Sequence, residues 1–292
     1  MNNRLAELLN EFESFLRQSA PVVPSFHPHY EQALWEMVQN GGKRFRPRLL
    51  FATVLALDSQ RFAQKEGIFQ AALALECLHT YSLIHDDLPC MDNAALRRAH
   101  PTLHVKYSED LAVLVGDALN TYAFYLLSKA ALSHSVRLEL IATLASNGGL
   151  EGMVLGQVLD CYFEDIRLDI KQLEFLHLHK TGMLIAAALK MGATICEADA
   201  RICEQIYALG LELGLMFQIY DDIIDLTEAS EEAGKPTHSD AQKNSYTNLL
   251  GLETSRDVLR SLHAKILDEC RDNATLHSLF GEILHSYFKG KV

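Results

Sequence analysis

The sequence predicts an all-α fold, a single large helical bundle around a central cavity. Six of the seven prolines lie at or before Pro101 and the next is Pro236, so the middle of the chain is free to be helical. Between residues 102 and 235 the dominant residues are Leu, Ala, Glu, Met and Ile, and apolar positions recur every three or four residues. No alternating strand-like run is flanked by Asn-Gly or Asp-Gly turns, which argues against a β structure.

Breaks in the helical pattern define the order of the predicted helices. They fall near residues 21–28, 58–60, 87–101, 134–135, 165–169, 197–198 and 229–245. The segments between most of them are about 15–25 residues long, which suits one bundle around one core. No break has the Pro/Gly/Ser-rich composition of a linker, so we expect a single domain over residues 1–292, with 1–29 as a less ordered or peripheral segment.

Composition excludes several classes of protein. The chain has 292 residues, of which 49% are hydrophobic, and 26 basic against 38 acidic residues give a formal charge of −12. This charge disfavours binding to nucleic acid, and an anionic ligand would need a local basic cluster or bound cations. The first residues lack the apolar core of a secretory signal, and no stretch reaches the roughly 18 uninterrupted apolar residues of a membrane span. We therefore expect a soluble, cytoplasmic protein.

Two segments carry clustered aspartates after apolar helical runs. The first, IHDDLPCMD, contains Asp86, Asp87 and Asp92, and its proline must interrupt the helix and redirect the third carboxylate. The second, YDDIIDL, has no proline and contains aspartates at i, i+1 and i+4: Asp221, Asp222 and Asp225. Clustered carboxylates repel one another unless water or a cation bridges them, and oxygen-only ligands suit Mg²⁺. An acidic helix end in water is the alternative for either segment alone.

Basic residues cluster in two places that could bind phosphate. The segment GGKRFRPRLL contains Lys43 and Arg46, and the pair Arg97 and Arg98 follows the first aspartate segment. Guanidinium groups bind phosphate oxygens in pairs and remain charged, so these residues are candidate diphosphate ligands. Solvated surface charge is the alternative for each cluster.

Spacing on the helices suggests a cavity beside the aspartates. His79 precedes Asp86 by seven residues on one helix face, a distance of about 10 Å at 1.5 Å per residue. Glycines spaced by four form stripes that lead into polar residues: Gly152, Gly156 and Asp160 on one helix, and Gly210, Gly214 and Gln218 on another. Close helix packing is the commoner cause of such stripes, but the polar residues that follow favour a cavity.

Taken in order, the motifs resemble those of the trans-isoprenyl diphosphate synthases over roughly residues 30–290. The segments that show the resemblance are GGKRFRPRLL, ECLHTYSLIHDDLPCMD, LRR, GDALNTYAF, GMVLGQVLD, HKTG, FQIYDDIIDLTE and GKPTHSD. The resemblance implies an all-helical enzyme, usually a homodimer, that condenses isopentenyl diphosphate with an allylic diphosphate. It also implies that the aspartates of both segments hold about three Mg²⁺ ions on the allylic diphosphate, with Asp86, Asp92 and Asp221 as the most direct ligands.

The resemblance also assigns roles to the other motif residues. It implies that isopentenyl diphosphate is bound by Lys43, Arg46, His79 and Arg98. It implies that the allylic diphosphate is contacted by Arg97, Lys180 and Lys235. Thr181 and Gln218 would lie beside the developing allylic cation, and the supporting positions are Gln157, Asp160 and Lys243. His238 and a loop about two residues shorter before Lys243 depart from the family pattern.

Product length follows from the helix that carries the first aspartates. Tyr81 lies five residues before Asp86, and the helix pitch of about 5.4 Å is close to the length of one isoprene unit. A bulky ring at this position should stop elongation early, and the family resemblance implies that an aromatic residue here goes with the fifteen-carbon product. A synthase of the twenty-carbon product and a non-catalytic partner subunit remain alternatives. A terpene cyclase is disfavoured because its second metal motif normally mixes other residue types.

Overall fold

The computed structural model describes residues 2–233 and 244–288, and the side chains of 3–227 and 244–288. The helices within these ranges are α1 (Asn2–Gln18), α2 (Tyr30–Gln39), α3 (Phe45–Asp58), α4 (Lys65–Asp86), α5 (Leu103–Lys106), α6 (Glu109–Lys129), α7 (His134–Gly148), α8 (Met153–Tyr162), α9 (Ile170–His177), α10 (Met183–Ile195), α11 (Ala200–Ala233), α12 (Tyr246–Leu250), α13 (Leu252–Glu269) and α14 (Ala274–Phe288). A 3₁₀ turn covers Ser59–Gln64 and a π-helical turn covers Leu178–Gly182. Two short antiparallel strands, β1 (Leu96–Arg97) and β2 (His100–Pro101), form a ribbon. The all-α prediction is confirmed.

The helix boundaries follow the breaks read from the sequence. Helix α3 ends at Asp58, whose side chain accepts a hydrogen bond from the amide of Gln60 and so begins the 3₁₀ turn. Helix α9 begins with a capping box, in which Asp169 accepts from the Gln172 amide at 2.9 Å and the Gln172 side chain accepts from the Asp169 amide at 3.0 Å. Asp58 thus caps the 3₁₀ turn that leads into α4, and Asp169 caps α9, which leads into the HKTG segment.

Helices fall into two compact units, which are described separately. The first comprises residues 1–142 and 194–197, and the second comprises 143–193 and 198–292. In the first unit α4 is buried on nearly all sides, which explains why its sequence is apolar over most of its length. Its aromatic core includes Phe12, Phe51 and Phe69, with ring centroids 5.4–5.8 Å apart.

The N-terminal segment differs from its prediction. Helix α1 is regular, and its residues at spacings of three and four, Leu5, Leu8, Phe12 and Leu16, are at most 5% exposed. This apolar stripe packs in the core of the first unit, so residues 2–18 are a structural element and not a less ordered extension. Only the following stretch is peripheral, where Val22 and Phe26 are exposed.

Among the residues that the structure describes, two helices are long and apolar enough to cross a membrane by length and composition alone. They are Glu109–Lys129 and Ala200–Thr227, and 39% and 44% of their most apolar windows are buried in the protein. Core helices of globular proteins pass the same test, so this finding carries little weight.

Candidate active site

The first aspartate segment turns back on itself after α4. The backbone amide of Asp92 donates to the carbonyl of Asp86 at 2.9 Å, and the amide of Asn93 donates to the carbonyl of Leu88 at 3.0 Å. Asn93 has a φ of 50°, in the left-handed region that asparagine tolerates. Pro89 prevents the helix from continuing through the segment. The turn therefore returns Asp92 to the end of α4, beside Asp86.

Arg97 reaches from strand β1 to the same helix end. Its Nε and Nη2 donate to Oδ1 of Asp87 at 2.8 and 2.6 Å, and Nη2 lies 3.9 Å from Oδ2 of Asp86. Asp87 is 1% exposed, and its Oδ2 is buried without a hydrogen-bond partner in the part of the chain that the structure describes. Burial raises the pKa of the Asp87 carboxyl, and the hydrogen bonds from Arg97 oppose that rise.

The donor chemistry of this helix end fits magnesium. The side chains here offer carboxylate oxygens, which Mg²⁺ prefers as ligands. One of these oxygens, the buried Oδ2 of Asp87, has no hydrogen-bond partner among the described residues. Among the residues that the structure describes, no three His, Cys, Asp or Glu side chains form a ready-made metal site. Mg²⁺ bound here would thus complete its coordination with water and phosphate oxygens, as it does in phosphate-transferring enzymes.

The glycine-rich basic segment before α3 positions Arg98. Gly41 and Gly42 have positive φ values of 77° and 106°, and Nη1 of Arg98 donates to the carbonyl of Gly41 at 2.8 Å. A Cβ at Gly42 would lie 2.8 Å from the Arg98 guanidinium carbon, so only glycine allows this approach. Lys43 is exposed beside them.

Arg44 of the same segment has a structural role that the sequence did not reveal. It is 5% exposed, and its guanidinium forms ion pairs with Glu13 at 2.6 Å and Glu76 at 2.9 Å and donates to the carbonyl of Val38. The buried carboxylate of Glu76 is therefore committed to Arg44. The sequence has four basic residues in this segment, Lys43, Arg44, Arg46 and Arg48. Nothing in it indicates that Arg44 is the one that contacts α1, α2 and α4.

Arg46 and His79 form the centre of a cationic cluster in the first unit. The Nε of Arg46 is buried without a hydrogen-bond partner among the described residues, and burial, with help from Arg98, lowers its pKa to about 10. Burial, then the charges of Arg46 and Arg98 followed by Arg97, hold the pKa of His79 well below 6.5. His79 is therefore neutral at pH 7. An anion bound beside these groups would offset the mutual repulsion of Arg46 and Arg98, which the charge of Glu76 offsets only in part.

Tyr81 lies on α4 between this cluster and the aspartates. Its side chain is 8% exposed, one and a half turns before Asp86, and its ring centroid is 5.5 Å from that of His85. The Tyr81 ring, which the sequence predicts to limit product length, is therefore buried.

The second aspartate segment stays helical within α11. Asp222 is 7% exposed, and its Oδ2 accepts the backbone amide of Tyr246 at 2.8 Å and lies 3.6 Å from Nε2 of His177. Asp225 is exposed and Asp221 is partly exposed, one turn away on the same side of α11. The middle aspartate therefore holds the start of α12, and the outer two are accessible for a ligand.

A π-helical turn presents the lysine and threonine of HKTG in the second unit. Lys180 forms an ion pair with Asp160 of α8, and Oγ1 of Thr181 donates to Oε1 of Gln218 of α11 at 3.0 Å. Such turns insert one residue into an α-helix and occur frequently at functional sites. The neighbouring Gln157 donates to Sγ of Cys161 at 3.6 Å. The predicted residues therefore form two contacting pairs, Lys180 with Asp160 and Thr181 with Gln218.

One glycine of each stripe, Gly156 and Gly214, packs against this turn and does not line a cavity. A Cβ at Gly156 would lie 2.1 Å from the backbone nitrogen of Lys180, and one at Gly214 would lie 2.3 Å from Cα of Gly182. The preference for a cavity is therefore wrong for these glycines, since they allow backbones to approach closely. Lys235 and Lys243, with His238, lie outside the described residues.

An all-helical protein with one aspartate segment at the end of a helix and another within a helix, and with arginines near a neutral, half-buried histidine, defines a class of enzyme that handles diphosphates with divalent cations. The chain matches the polyprenyl synthetase family over residues 27–283, and it belongs to that family.

Relatives and solved structures agree with this assignment. Farnesyl diphosphate synthase from Haemophilus influenzae is 38% identical over 274 residues, covering 92% of this chain and 91% of the relative. Geranylgeranyl pyrophosphate synthase 12 from Arabidopsis thaliana, a chloroplastic protein, is 37% identical and covers 89% of this chain and 76% of its own length. A crystal structure of a geranyltransferase from Helicobacter pylori, complexed with magnesium and isoprenyl diphosphate, is 50% identical with a TM-score of 0.90, covering 99% of this chain and 97% of that one.

Proposed function

We propose that this protein is a Mg²⁺-dependent prenyltransferase that condenses isopentenyl diphosphate with dimethylallyl or geranyl diphosphate to give farnesyl diphosphate. The observation that carries the proposal is the cationic cluster of Arg46, His79 and Arg98, which lies on the same unit as the returned aspartates Asp86 and Asp92. The cationic cluster suits a diphosphate bound directly by side chains, and the aspartates suit a diphosphate bound through metal ions.

Isopentenyl diphosphate would bind to the cationic cluster. Arg46 and Arg98 offer paired donors to phosphate oxygens, and exposed Lys43 adds a mobile charge at the rim. His79 is held neutral, so it donates a hydrogen bond without adding charge. The carboxylate of Glu76 does not compete with the diphosphate because it is paired with Arg44.

The allylic diphosphate would bind to the aspartate segments. Asp86, Asp92, Asp221 and Asp225 would hold the magnesium ions, about three by family resemblance, while Asp87 and Asp222 would fix the positions of the others. Bound Mg²⁺ supplies charge stabilisation to the departing diphosphate. By family resemblance, Arg97 and Lys180 would donate to phosphate oxygens once substrate competes with Asp87 and Asp160 for them.

The reaction would proceed by ionisation of the allylic diphosphate, attack by the isopentenyl double bond and loss of a proton. Thr181 and Gln218 present oxygen atoms that can stabilise the positive charge on the allylic carbon. The supporting residues would be Gln157, Asp160 and, from outside the described residues, Lys243. Lys235, also outside the described residues, would contact the allylic diphosphate. Tyr81 would limit the product to fifteen carbons.

The organisation of the protein is also part of the proposal. The family match from residue 27 to 283 supports one catalytic domain over residues 1–292. By resemblance to the family we propose a cytoplasmic homodimer without a membrane span or nucleic-acid partner. The match to a geranylgeranyl pyrophosphate synthase makes a twenty-carbon product the second candidate, which buried Tyr81 disfavours. Intact aspartates and arginines disfavour a non-catalytic partner subunit.

The test is incubation of the purified chain alone with labelled isopentenyl diphosphate and either dimethylallyl or geranyl diphosphate, with and without Mg²⁺. Chromatography should show a Mg²⁺-dependent fifteen-carbon product. A twenty-carbon product would favour the second candidate, and absence of turnover by the chain alone would contradict the proposal. Asp257→Asn, an exposed aspartate on α13, serves as the control for loss of a carboxylate.

A further inference from the structure

The ring of His85 occupies a place that only a glycine leaves open. Helices α4 and α6 pack against each other, and Gly116 of α6 faces His85 of α4. A Cβ at Gly116 would lie 2.2 Å from Nε2 and 2.4 Å from Cδ2 of His85, far inside contact distance. The imidazole therefore fills the volume that any other residue at position 116 would take.

The orientation of this ring is fixed by hydrogen bonding. Nε2 of His85 lies 3.1 Å from the carbonyl oxygen of Val113, which can only accept, so Nε2 carries the proton and donates. Oδ1 of Asp117 lies 3.9 Å from the same nitrogen, on the other side of the glycine. The carbonyl and the gap at Gly116 together select one position of the His85 ring.

His85 in turn holds Tyr81. The two residues are one turn apart on α4, and their rings meet edge to face, with centroids 5.5 Å apart and an interplanar angle of 89°. Burial raises the pKa of the Tyr81 hydroxyl, and the charge of Asp117 on α6 adds to the rise. The pose of the Tyr81 ring depends on the pose of His85.

We propose that His85 and Gly116 are positioning residues for product length, because the gap at Gly116 seats His85 and His85 holds the Tyr81 ring across the path of the growing chain. The inference rests on the proposed function, in which Tyr81 stops elongation. It adds that the stop is a packed assembly of three residues on two helices, and not the size of one side chain alone.

The experiment compares the product distributions of Tyr81→Ala, Gly116→Ala, His85→Ala and the double variant Tyr81→Ala/Gly116→Ala. Purified enzyme receives labelled isopentenyl diphosphate and geranyl diphosphate, and the ratio of twenty-carbon to fifteen-carbon product is read by chromatography. We expect Gly116→Ala and His85→Ala each to raise this ratio several-fold. The double variant should have the same product ratio as Tyr81→Ala, because Gly116 acts through the Tyr81 ring, which both variants lack.

Controls separate folding from positioning. Gly281→Ala on α14 meets no atom closer than 4.0 Å, so it should keep the wild-type product ratio. If Gly116→Ala fails to fold, His85→Ala still tests the inference, since it removes atoms and adds none. A wild-type product ratio in folded Gly116→Ala or in His85→Ala, alongside a raised ratio in Tyr81→Ala, overturns the inference and leaves the proposed function standing. No lengthening in Tyr81→Ala overturns the assignment of Tyr81 itself.

Discussion

Arg97 donates two hydrogen bonds to a single oxygen of Asp87, at 2.8 and 2.6 Å. In the second aspartate segment Asp222 is likewise buried and accepts the amide of Tyr246 at 2.8 Å. The middle aspartate of each segment is therefore engaged by the protein itself. The loss of either middle aspartate should therefore impair folding.

The exposed aspartate of the first segment should be needed for metal binding and not for stability. Asp92→Asn removes the charge of an exposed side chain, and the backbone hydrogen bond from residue 92 to Asp86 is kept. We expect kcat to fall about 10²–10³-fold, comparable to loss of one preorganised charge-stabilising group, with a higher Mg²⁺ requirement and an unchanged Tm. Steady-state kinetics over a Mg²⁺ titration measure this, with Asp257→Asn as the matched control. Wild-type Mg²⁺ dependence in Asp92→Asn would remove Asp92 from the metal site.

The middle aspartate of the second segment should be needed for stability. Asp222→Ala leaves the amide of fully buried Tyr246 without its acceptor, which costs about 1–3 kcal/mol. Asp222→Asn keeps a carbonyl oxygen at this position and should lose less. Urea denaturation of the two variants gives the free energies of unfolding. Equal stability of Asp222→Ala and wild type would show that Tyr246 finds another acceptor.

Protonation of His79 should couple stability to pH. In the folded chain, burial and the surrounding arginines hold the pKa of His79 well below 6.5, whereas the unfolded chain keeps the ordinary value. Below about pH 6.5 the unfolded state therefore binds one more proton, and stability falls as the pH falls, by up to about 1.4 kcal/mol per pH unit. Above that pH the side chain is neutral in both states, so it no longer makes stability depend on pH.

The His79 effect is measured by urea denaturation at pH 7.5 and 5.5. We expect His79→Gln to lose about 1 kcal/mol less than wild type over this interval, since glutamine does not titrate. His263→Gln, at a histidine whose pKa is also lowered but by burial alone, shows how much of the effect is specific to the arginine cluster. Parallel pH profiles for His79→Gln and wild type would contradict the coupling.

Local sequence predicted the fold and much of the site for physical reasons. The proline at 89 breaks α4, so the return of the chain after Asp86 was expected from the residue type alone. Periodicity predicted the helices, although the buried stripe of Leu5, Leu8, Phe12 and Leu16 was not among the predictions. Family resemblance, and not spacing, supplied the roles of residues such as Lys180 and Thr181.

What the sequence could not predict depends on contacts between distant residues. The ion pairs of Arg44 with Glu13 and Glu76 join positions 31 and 32 residues apart, and a cluster of charges does not show which member is buried. The π-helical turn has no residue signature of its own, so the glycines that accommodate it were read as lining a cavity. Such features arise from packing, which no local pattern records.

Gly156 should be essential because it allows the π-helical turn to approach α8. A Cβ at this position would lie 2.1 Å from the backbone nitrogen and 2.4 Å from Cα of Lys180, and a backbone cannot move aside as a side chain can. Gly156→Ala should therefore displace Lys180 and Thr181, lower the free energy of unfolding by about 1–3 kcal/mol and reduce kcat more than it changes KM for isopentenyl diphosphate. Gly281→Ala, which makes no close contact, should be neutral or slightly stabilising in its helix. Urea denaturation and steady-state kinetics on both variants test this, and wild-type turnover in Gly156→Ala would show that the turn does not position the two residues for catalysis.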